Sequence, residues 1–433
     1  MRLIERIVNA ITELKAQSKA FGKALSLSVL NQVVSSGTNF VLALYLVRVL
    51  TTSDFGLYGI GFAITLLYAG VGDALFLTQM VVHVPDKAPQ DRLPYAARIL
   101  VALIMFCALT AIVAGVIILM GGAWSQLINK HVSLIYSIVI ASIAYIIKDF
   151  FVRHSYTARK ESWALWVNVA VAVTLASLLW IHFQFEIAFD SERALWIYAA
   201  SNMVGALVGF ALVRLPILTV RLREVFHDVR EAWVGGRWAL GGVAVTWTQT
   251  QAYMYISALF LGPAGVAYAN AARLFITPAI FLVPAIGQIV APRLAALRAS
   301  NPQRMMQIGI LFTTGLIAFS MLYSITLLGM IDVIKPILIG AKYADITPLV
   351  AAWCLVLVFQ FSRSGTGIVL LVMKEFRLIT LVNLASLVVA IVAALILMKA
   401  IQVQGAILGT ALGELMLSVL LYREVMRLKS HSK

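Results

Sequence analysis

Residues 99–120 read ILVALIMFCALTAIVAGVIILM, a run that contains no charged side chain. At a helical rise of about 1.5 Å per residue, this run is about 33 Å long, which matches the hydrocarbon core of a bilayer at about 30 Å. Similar runs recur along the whole chain, and they predict an all-α integral membrane protein with twelve transmembrane helices. The predicted spans are residues 24–47, 55–80, 99–120, 133–152, 161–182, 195–213, 239–261, 265–290, 305–329, 347–371, 378–398 and 404–422.

Basic residues are concentrated in alternate connections between these spans. The N-terminal arm, the central loop before residue 239 and the C-terminal tail all lie on the side that holds most of the 34 lysines and arginines. The positive-inside rule therefore predicts that both termini are cytoplasmic and that the loops near Gly122, Ser191 and Lys342 face outward. The opposite side carries only Arg48, Lys130, Arg193, Lys335, Lys342 and Lys399.

The net charge of +15 and the pI of 9.9 could suggest a nucleic-acid-binding protein. However, 61% of the residues are hydrophobic and the mean hydropathy is +0.94, values typical of a membrane chain. Membrane topology and contact with anionic lipid headgroups account for the basic excess. We therefore expect membrane lipids, and no nucleic acid, as partners.

Motifs that indicate catalysis or metal binding are missing from the sequence. Its cysteines, Cys107 and Cys354, lie inside apolar spans, and the six histidines have no ligand spacing. There is no phosphate-binding loop, HExxH motif or nucleophile elbow. We expect no catalytic residue, metal or cofactor, and the protein is not predicted to be an enzyme.

Two segments outside the spans have an amphipathic helical pattern. In residues 1–23, apolar side chains recur at helical spacing from Leu3 to Leu14. In the cytoplasmic linker, residues 216–238, a second apolar stripe runs from Leu222 to Trp233. We expect both segments to lie on the membrane surface.

The linker separates six predicted spans from six others. The chain is therefore expected to form two six-helix lobes, residues 24–215 and 239–433. Leu50-x4-Phe55 in the first half overlays Leu261-x4-Val266 in the second, which weakly supports an internal duplication. Secondary transporters with two such halves bind substrate between them.

The first and seventh spans are unusually polar. They contain Asn31, Gln32, Ser35, Ser36, Thr38 and Asn39, and Thr246, Thr248, Gln249, Thr250 and Gln251. Polar groups that face lipid are costly, so these side chains should face other helices or a wet cavity. We predict that Gln32, Asn39, Gln249 and Gln251 bind substrate; the alternative is interhelical hydrogen bonding.

Ionisable side chains inside the spans are costly and are therefore functional candidates. Arg273 and Arg363 are predicted to contact substrate, and Asp73 and Glu414 to couple ions. The alternative for each is a buried ion pair that holds helices together. Arg48, on the outer side, is a further substrate-binding candidate, with a local ion pair or a headgroup contact as alternatives. Because arginine binds phosphate oxygens in a bidentate manner, its presence favours an anionic substrate.

The segment VRVLTTSDFGLYG, residues 47–59, resembles the Wzx-like polysaccharide-export flippases of the MATE-related superfamily. Arg48, Leu50, Phe55, Gly56 and Tyr58 match that family's pattern, whereas Thr51 replaces its usual glycine. Asp73 falls at an acidic position of the family, followed by a different pair of residues. The second-half sequence LGPAGVAY, residues 261–268, is also similar to the family.

The resemblance implies a MATE-like carrier in the bacterial inner membrane. Its substrate would be an O-antigen or exopolysaccharide precursor, an oligosaccharide linked to a polyprenyl diphosphate, and a polysaccharide polymerase is a possible partner. Two other functions remain open. A MATE-type cation or drug exporter should favour acidic residues, and a membrane glycosyltransferase or polymerase should carry a large outer loop.

Overall fold

The computed structural model describes residues 2–122, 131–186, 188–283, 301–343, 345–373 and 375–431, together with residues 290, 294, 297 and 298. All regular secondary structure in these residues is helical. The helices are α1 Arg2–Val49, α2 Thr52–Gly72, α3 Thr78–His83, α4 Arg92–Gly122, α5 Val132–Thr157, α6 Glu161–Gln184, α7 Ser191–Val213, α8 Leu222–Leu274, α9 Thr277–Ile280, α10 Pro302–Gly329, α11 Ile331–Ile339, α12 Thr347–Val372 and α13 Phe376–His431. A π-helical turn, Asp73–Leu77, joins α2 to α3.

Ten helical segments of the described chain are long and apolar enough to cross a membrane. Two of them are broken in the middle, because α8 leaves helical geometry at Gly262 (φ 67°, ψ −165°) and α13 leaves it at Ile401 and Gln402. Pro263 contributes to the first break, since it lacks an N–H and a left-handed glycine precedes it. The breaks fall between predicted spans seven and eight and between eleven and twelve. The predicted all-α fold of a multi-pass membrane protein is confirmed.

The two segments predicted to be amphipathic are helical, but neither is a separate helix. Residues 2–23 continue without a break into the first span as α1, and the linker helix from Leu222 onward continues into the seventh span as α8. On the linker helix, Phe226 and Trp233 are exposed, whereas Val225 and Ala232 are buried. The location of both segments at a membrane surface remains a prediction.

The chain packs as two compact units. Unit 1 comprises Met1–Asn39, Val71–Ile187 and Trp196–Arg237; unit 2 comprises Phe40–Gly70, Ala188–Leu195 and Trp238–Lys433. The segment Phe40–Gly70 therefore packs with residues of the second half of the chain, although it belongs to the first predicted lobe. The two six-helix lobes remain a prediction.

Unit 1 is built around close contacts of α5 with α6 and α7. Gly209 of α7 lies directly against the ring of Phe151, and Gly205 lies against Val171 and the aliphatic stem of Lys148. Phe151 is fully buried. The two glycines thus allow α7 to approach a large ring and the stem of a buried lysine, which positions that lysine inside the unit.

Unit 2 contains both segments that resemble the flippase family. Gly56 packs so closely on the carbonyl of Pro263 that a Cβ at this position would overlap with it, and Gly59 lies against the side chain of Asn270. Leu50 and Phe55 are buried in the same unit. The two related segments, one from each half of the sequence, therefore contact each other.

The two arms of α13 pack through small residues. Gly405, Gly409 and Gly413 recur at every fourth position, and Gly409 and Gly413 face Ala394 and Ala390 on the preceding arm. Small residues at this spacing let two membrane helices approach until their backbones touch. This contact holds the predicted eleventh and twelfth spans together.

We predict that Gly409→Ala destabilises the protein, because the added methyl would overlap with the backbone and side chain of Ala394. Overpacking of this kind typically costs about 1–3 kcal/mol. Gly367→Ala is the matched control, since nothing lies within 4 Å of a Cβ placed there, and it should be neutral or stabilising. Thermal unfolding of the purified variants in detergent measures the difference, and equal stability of the two variants would contradict the packing described.

Candidate functional site

Four charged side chains of unit 1 form a chain of ion pairs. Lys148 Nζ lies 3.8 Å from Asp149 Oδ1, and Arg153 Nε lies 3.6 Å from Asp149 Oδ2. Arg153 Nη2 then lies 3.3 Å from Asp73 Oδ1. The four charges sum to zero, so the network compensates internally for part of the cost of charge in an apolar environment.

Asp73, the predicted ion-coupling residue of the second span, is one end of this chain. It opens the π-helical turn, and its Oδ2 also accepts a hydrogen bond from Thr78, 3.4 Å away. π-Helical turns are rare and occur frequently at functional sites. The observed pairing with Arg153 corresponds to the structural alternative considered for Asp73, and ion coupling remains a prediction.

Lys148 and Asp149 belong to this network but are not among the functional candidates predicted from the sequence. They stand next to each other within an otherwise apolar stretch of α5, and Lys148 is only 4% exposed. The available signal was the Lys-Asp pair itself, since charges inside a predicted span are costly, although this pair lies near the end of its span. Arg153, one residue beyond the predicted span 133–152, belongs to the same network.

The polar residues of the first span have different environments in unit 1. Asn31 is buried, donates to the hydroxyl of Tyr156 at 2.7 Å and accepts a bond from Asn168 at 2.8 Å. Gln32 instead bonds within its own helix, to Ser36 at 2.7 Å. Asn39 lines a small polar cavity beside Lys148. Of the two predicted substrate residues on this span, only Asn39 is placed beside a buried charge.

In unit 2, Arg363 and Glu414 form an ion pair. Arg363 Nε lies 2.8 Å from Glu414 Oε2, although the N–H is not well aligned for a hydrogen bond, and Glu414 is 1% exposed. The amide of Gln360 lies 3.5 Å from the other carboxylate oxygen. The structure thus joins a predicted substrate arginine to a predicted coupling acid across α12 and α13.

Arg273 has a different environment, formed by aromatic groups. It donates from Nη1 to the hydroxyl of Tyr253 at 3.0 Å, and its guanidinium lies 5.7 Å and 5.4 Å from the ring centres of Tyr253 and Trp353. The hydroxyl of Tyr253 donates a hydrogen bond to Asn270 Oδ1 at 2.8 Å, and Trp353 donates to the carbonyl of Ala269. Among the described residues, no carboxylate is in ion-pair distance of Arg273. Within the described part of the chain, its positive charge is therefore held by aromatic groups and not by an acid.

The predicted glutamines of the seventh span are both buried in unit 2. Gln249 donates to Ser386 at 3.0 Å, and Ser386 donates to the carbonyl of Gly413 at 2.7 Å. This arrangement corresponds to the interhelical hydrogen bonding considered for such residues. Gln251 differs, because its buried Oε1 has no hydrogen-bond partner among the described residues.

Arg48 lies next to the end of α1 and interacts with backbone carbonyls. Its Nε donates to the carbonyl of Leu338, near the end of α11, at 3.1 Å. In return, Lys342 donates to the carbonyls of Arg48 and Leu50 at the end of α1. Arg48 thus caps the C-terminus of α11, and Lys342, three residues beyond α11, caps that of α1, where the helix dipole favours a cation. A role of Arg48 in substrate binding remains a prediction.

Unit 2 also contains an apolar groove of about 520 Å³ between α10, α12 and the second arm of α13. It is lined mainly by aliphatic side chains, with Ser324 and Gln404 as polar exceptions. Met321, Ile325 and Leu355 at its border are exposed. The groove is therefore open and suited to an extended apolar chain.

No protein-family model and no curated protein matches this sequence. Solved structures do share its fold. The lipid II flippase MurJ in an inward closed conformation gives a TM-score of 0.68 at 13% identity, over 94% of this chain and 87% of that chain. The eukaryotic MATE transporter AtDTX14 gives 0.67 at 15% identity, over 94% and 95%. An inward-facing multidrug resistance MATE family transporter of the MOP superfamily gives 0.65 at 13% identity, over 94% of each chain.

These likenesses establish the fold of the chain. It is the all-α, multi-pass fold of MATE transporters and of MurJ, as predicted. At 13–15% identity the comparison does not extend to the substrate. Of the three similar structures, one is of a flippase and two are of transporters.

We predict that Arg363→Met alone destabilises the protein by about 3–5 kcal/mol, because it leaves the buried carboxylate of Glu414 uncompensated. The double variant Arg363→Met, Glu414→Met should recover most or all of this stability, since it removes both charges. The exposed pair Arg427–Glu424, 3.7 Å apart, is the control, and Arg427→Met should cost about 0–1 kcal/mol. Unfolding of the four proteins in detergent measures these terms, and a double variant no more stable than Arg363→Met would contradict a direct pair.

Proposed function

We propose that this protein is a flippase of the bacterial inner membrane with both termini in the cytoplasm, and that it belongs to the MOP superfamily. Its substrate would be a polyprenyl-diphosphate-linked oligosaccharide, moved from the cytoplasmic to the outer leaflet by alternating access. The product would serve surface polysaccharide biosynthesis, with a polysaccharide polymerase as a possible partner. The observation that carries this proposal is the aromatic environment of Arg273.

Arg273 has the properties of an anion-binding residue. Its guanidinium is oriented by Tyr253 and Trp353, and no carboxylate of the described chain neutralises it. Because arginine keeps its charge when dehydrated and presents a planar fork, a diphosphate is a suitable ligand. The aromatic rings stabilise the cation while the site is unoccupied.

Arg363 is proposed as a second contact to the diphosphate. Its side chain is 29% exposed, whereas its partner Glu414 is buried. One edge of the guanidinium is therefore engaged with the carboxylate, and the exposed part is available to an anion. In this proposal Glu414, like Asp73, couples transport to an ion through its paired arginine.

The rest of the substrate also has suitable contacts. Gln251, with its unsatisfied buried oxygen, and Asn39 suit sugar hydroxyls, and Gln32, Gln249 and Arg48 are proposed to contribute further polar contacts. The apolar groove of unit 2 suits part of a polyprenyl chain. A soluble cation has no apolar chain that could occupy this groove.

The membrane potential would favour this direction of transport. Moving two negative charges outward across about 100 mV, negative inside, gains about 4.6 kcal/mol. Export of a diphosphate is thus driven in part by charge alone, and a coupled ion is not required. The proposal therefore does not depend on ion coupling by Asp73 or Glu414.

The alternative function is that of a MATE-type cation or drug exporter. Such a protein should present an acidic side chain to its substrate. In the described chain, however, Asp73, Asp149 and Glu414 are each within ion-pair distance of a basic residue. This pairing disfavours the recognition of cations.

We predict that Arg273→Ala weakens binding of a polyprenyl-diphosphate sugar by about 10–100-fold, which corresponds to the loss of about 1.5–3 kcal/mol for a hydrogen bond to a charged group. Arg273→Lys should recover only part of this loss, because it lacks the bidentate fork. Arg427→Ala, on an exposed helix end, is the matched control and should bind normally. The measurement follows the binding and movement of a fluorescent polyprenyl-diphosphate sugar, which is placed in one leaflet of liposomes that contain the purified protein.

The same liposomes distinguish the alternative. A cationic dye should not be transported, and neutralisation of Asp73 or Glu414 should not affect its distribution. Transport of the dye, with no movement of the lipid-linked sugar, would overturn the proposed function in favour of a cation exporter.

A further inference from the structure

A polar cavity lies inside unit 1, beside the buried Lys148. It is formed by α1, α5, α6 and α7, and all but one of its lining residues are polar. Its volume is only about 10 Å³, roughly the space that one water molecule requires. The cavity is therefore almost filled by the side chains that form it.

The lining of the cavity is rich in oxygen acceptors. The amide nitrogen of Asn168 donates to Asn31 at 2.8 Å, and that of Asn202 donates to the carbonyl of Tyr198 at 2.8 Å. The hydroxyl of Thr38 donates to the carbonyl of Val34 at 2.6 Å. One N–H of each amide and the hydroxyl hydrogen of Thr38 are used in these bonds, while the amide and hydroxyl oxygens of the lining keep lone pairs that can accept. Such an oxygen set favours a cation rather than an anion.

Lys148 supplies a cation from within the chain. Its Nζ lies 4.4 Å from the ring centre of Tyr145 and 3.8 Å from Asp149. The ring of Tyr145 stacks on that of Tyr198, with centroids 6.2 Å apart. The ammonium thus lies beside one carboxylate and one aromatic face, and the lysine lines the cavity together with amide and hydroxyl side chains.

We propose that the ammonium of Lys148 acts as a tethered cation that occupies an internal monovalent-cation site of unit 1. The lining supplies amide and hydroxyl oxygens, and Asp149 lies 3.8 Å from the ammonium, so the groups that a small free cation would need are close by; the lysine occupies the space and supplies the charge. Unit 1 therefore requires no bound Na⁺ or K⁺. This inference concerns unit 1 alone, and it holds whichever substrate the protein transports.

Removal of the lysine tests the proposal. In Lys148→Ala, the truncated side chain opens the cavity and leaves Asp149 paired with Arg153 alone. Thermal unfolding of the purified full-length protein is measured in choline chloride and in NaCl, KCl or NH₄Cl at equal ionic strength. We expect that Na⁺, K⁺ or NH₄⁺ raises the Tm of Lys148→Ala by at least about 2–4 °C over choline, because a ligand that binds only the folded state stabilises it. The wild type should show no difference among these salts.

Two further variants serve as controls. Lys148→Met keeps the bulk of the side chain without its charge, so it should be destabilised and not rescued by any of the cations. Lys148→Ala, Asp149→Asn removes the carboxylate as well and should lose the rescue. Should Lys148→Ala not survive purification in choline, the same comparison is read as the yield of monodisperse protein in each salt.

Two results would overturn the proposal. One is a Lys148→Ala variant whose stability or yield is the same in choline as in the three other salts. The other is a wild type that small cations already stabilise over choline, because a free cation would then bind beside the lysine.

Discussion

The structure depends on the cost of placing charge in a hydrocarbon environment. A single unpaired charge near the centre of a bilayer costs at least about 2.5 kcal/mol, yet α5, α8, α12 and α13 all carry charges within their membrane segments. In both units the cost is reduced by contacts inside the unit: an ion-pair chain through Asp149 in unit 1, and the pair Arg363–Glu414 in unit 2. Among the residues that the structure describes, Arg273 differs, because aromatic groups and no acid lie around it. Where a charge is retained without neutralisation, a ligand of opposite charge is the simplest reason for its retention.

The helical membrane fold could be predicted from the sequence because a bilayer imposes a length and a hydrophobicity on each span. The breaks at Gly262 and Gln402 also fall where short polar or glycine-containing connections separate predicted spans. Other features depend on which residues meet in three dimensions. Nothing in the local sequence indicates that Phe40–Gly70 packs with the second half, or that Arg153 reaches Asp73.

The candidate site was predictable in part. The cost of buried charge directs attention to Asp73, Arg363 and Glu414, but sequence alone cannot assign their partners, which lie on other helices. Lys148 illustrates a different difficulty. In the sequence, Lys148 and Asp149 together resemble the polar end of a span. In the structure, the aliphatic stem of Lys148 packs against Gly205 inside unit 1. The environment of Arg273 likewise depends on Tyr253 and Trp353. The sequence does not indicate that these two aromatic side chains contact Arg273.

The reciprocal capping of α1 and α11 differs in kind from the ion pairs of the spans. Arg48 and Lys342 each bind backbone carbonyls, so neither interaction includes a carboxylate that could gain a proton. Carboxylates in water become neutral near pH 4, whereas a carbonyl oxygen remains an acceptor at that pH. The distribution of basic residues predicts that this end of the molecule faces outward. The hydrogen bonds between the two helix ends would then persist in acidic surroundings. The two helix ends would then stay connected under conditions that weaken ordinary surface salt bridges.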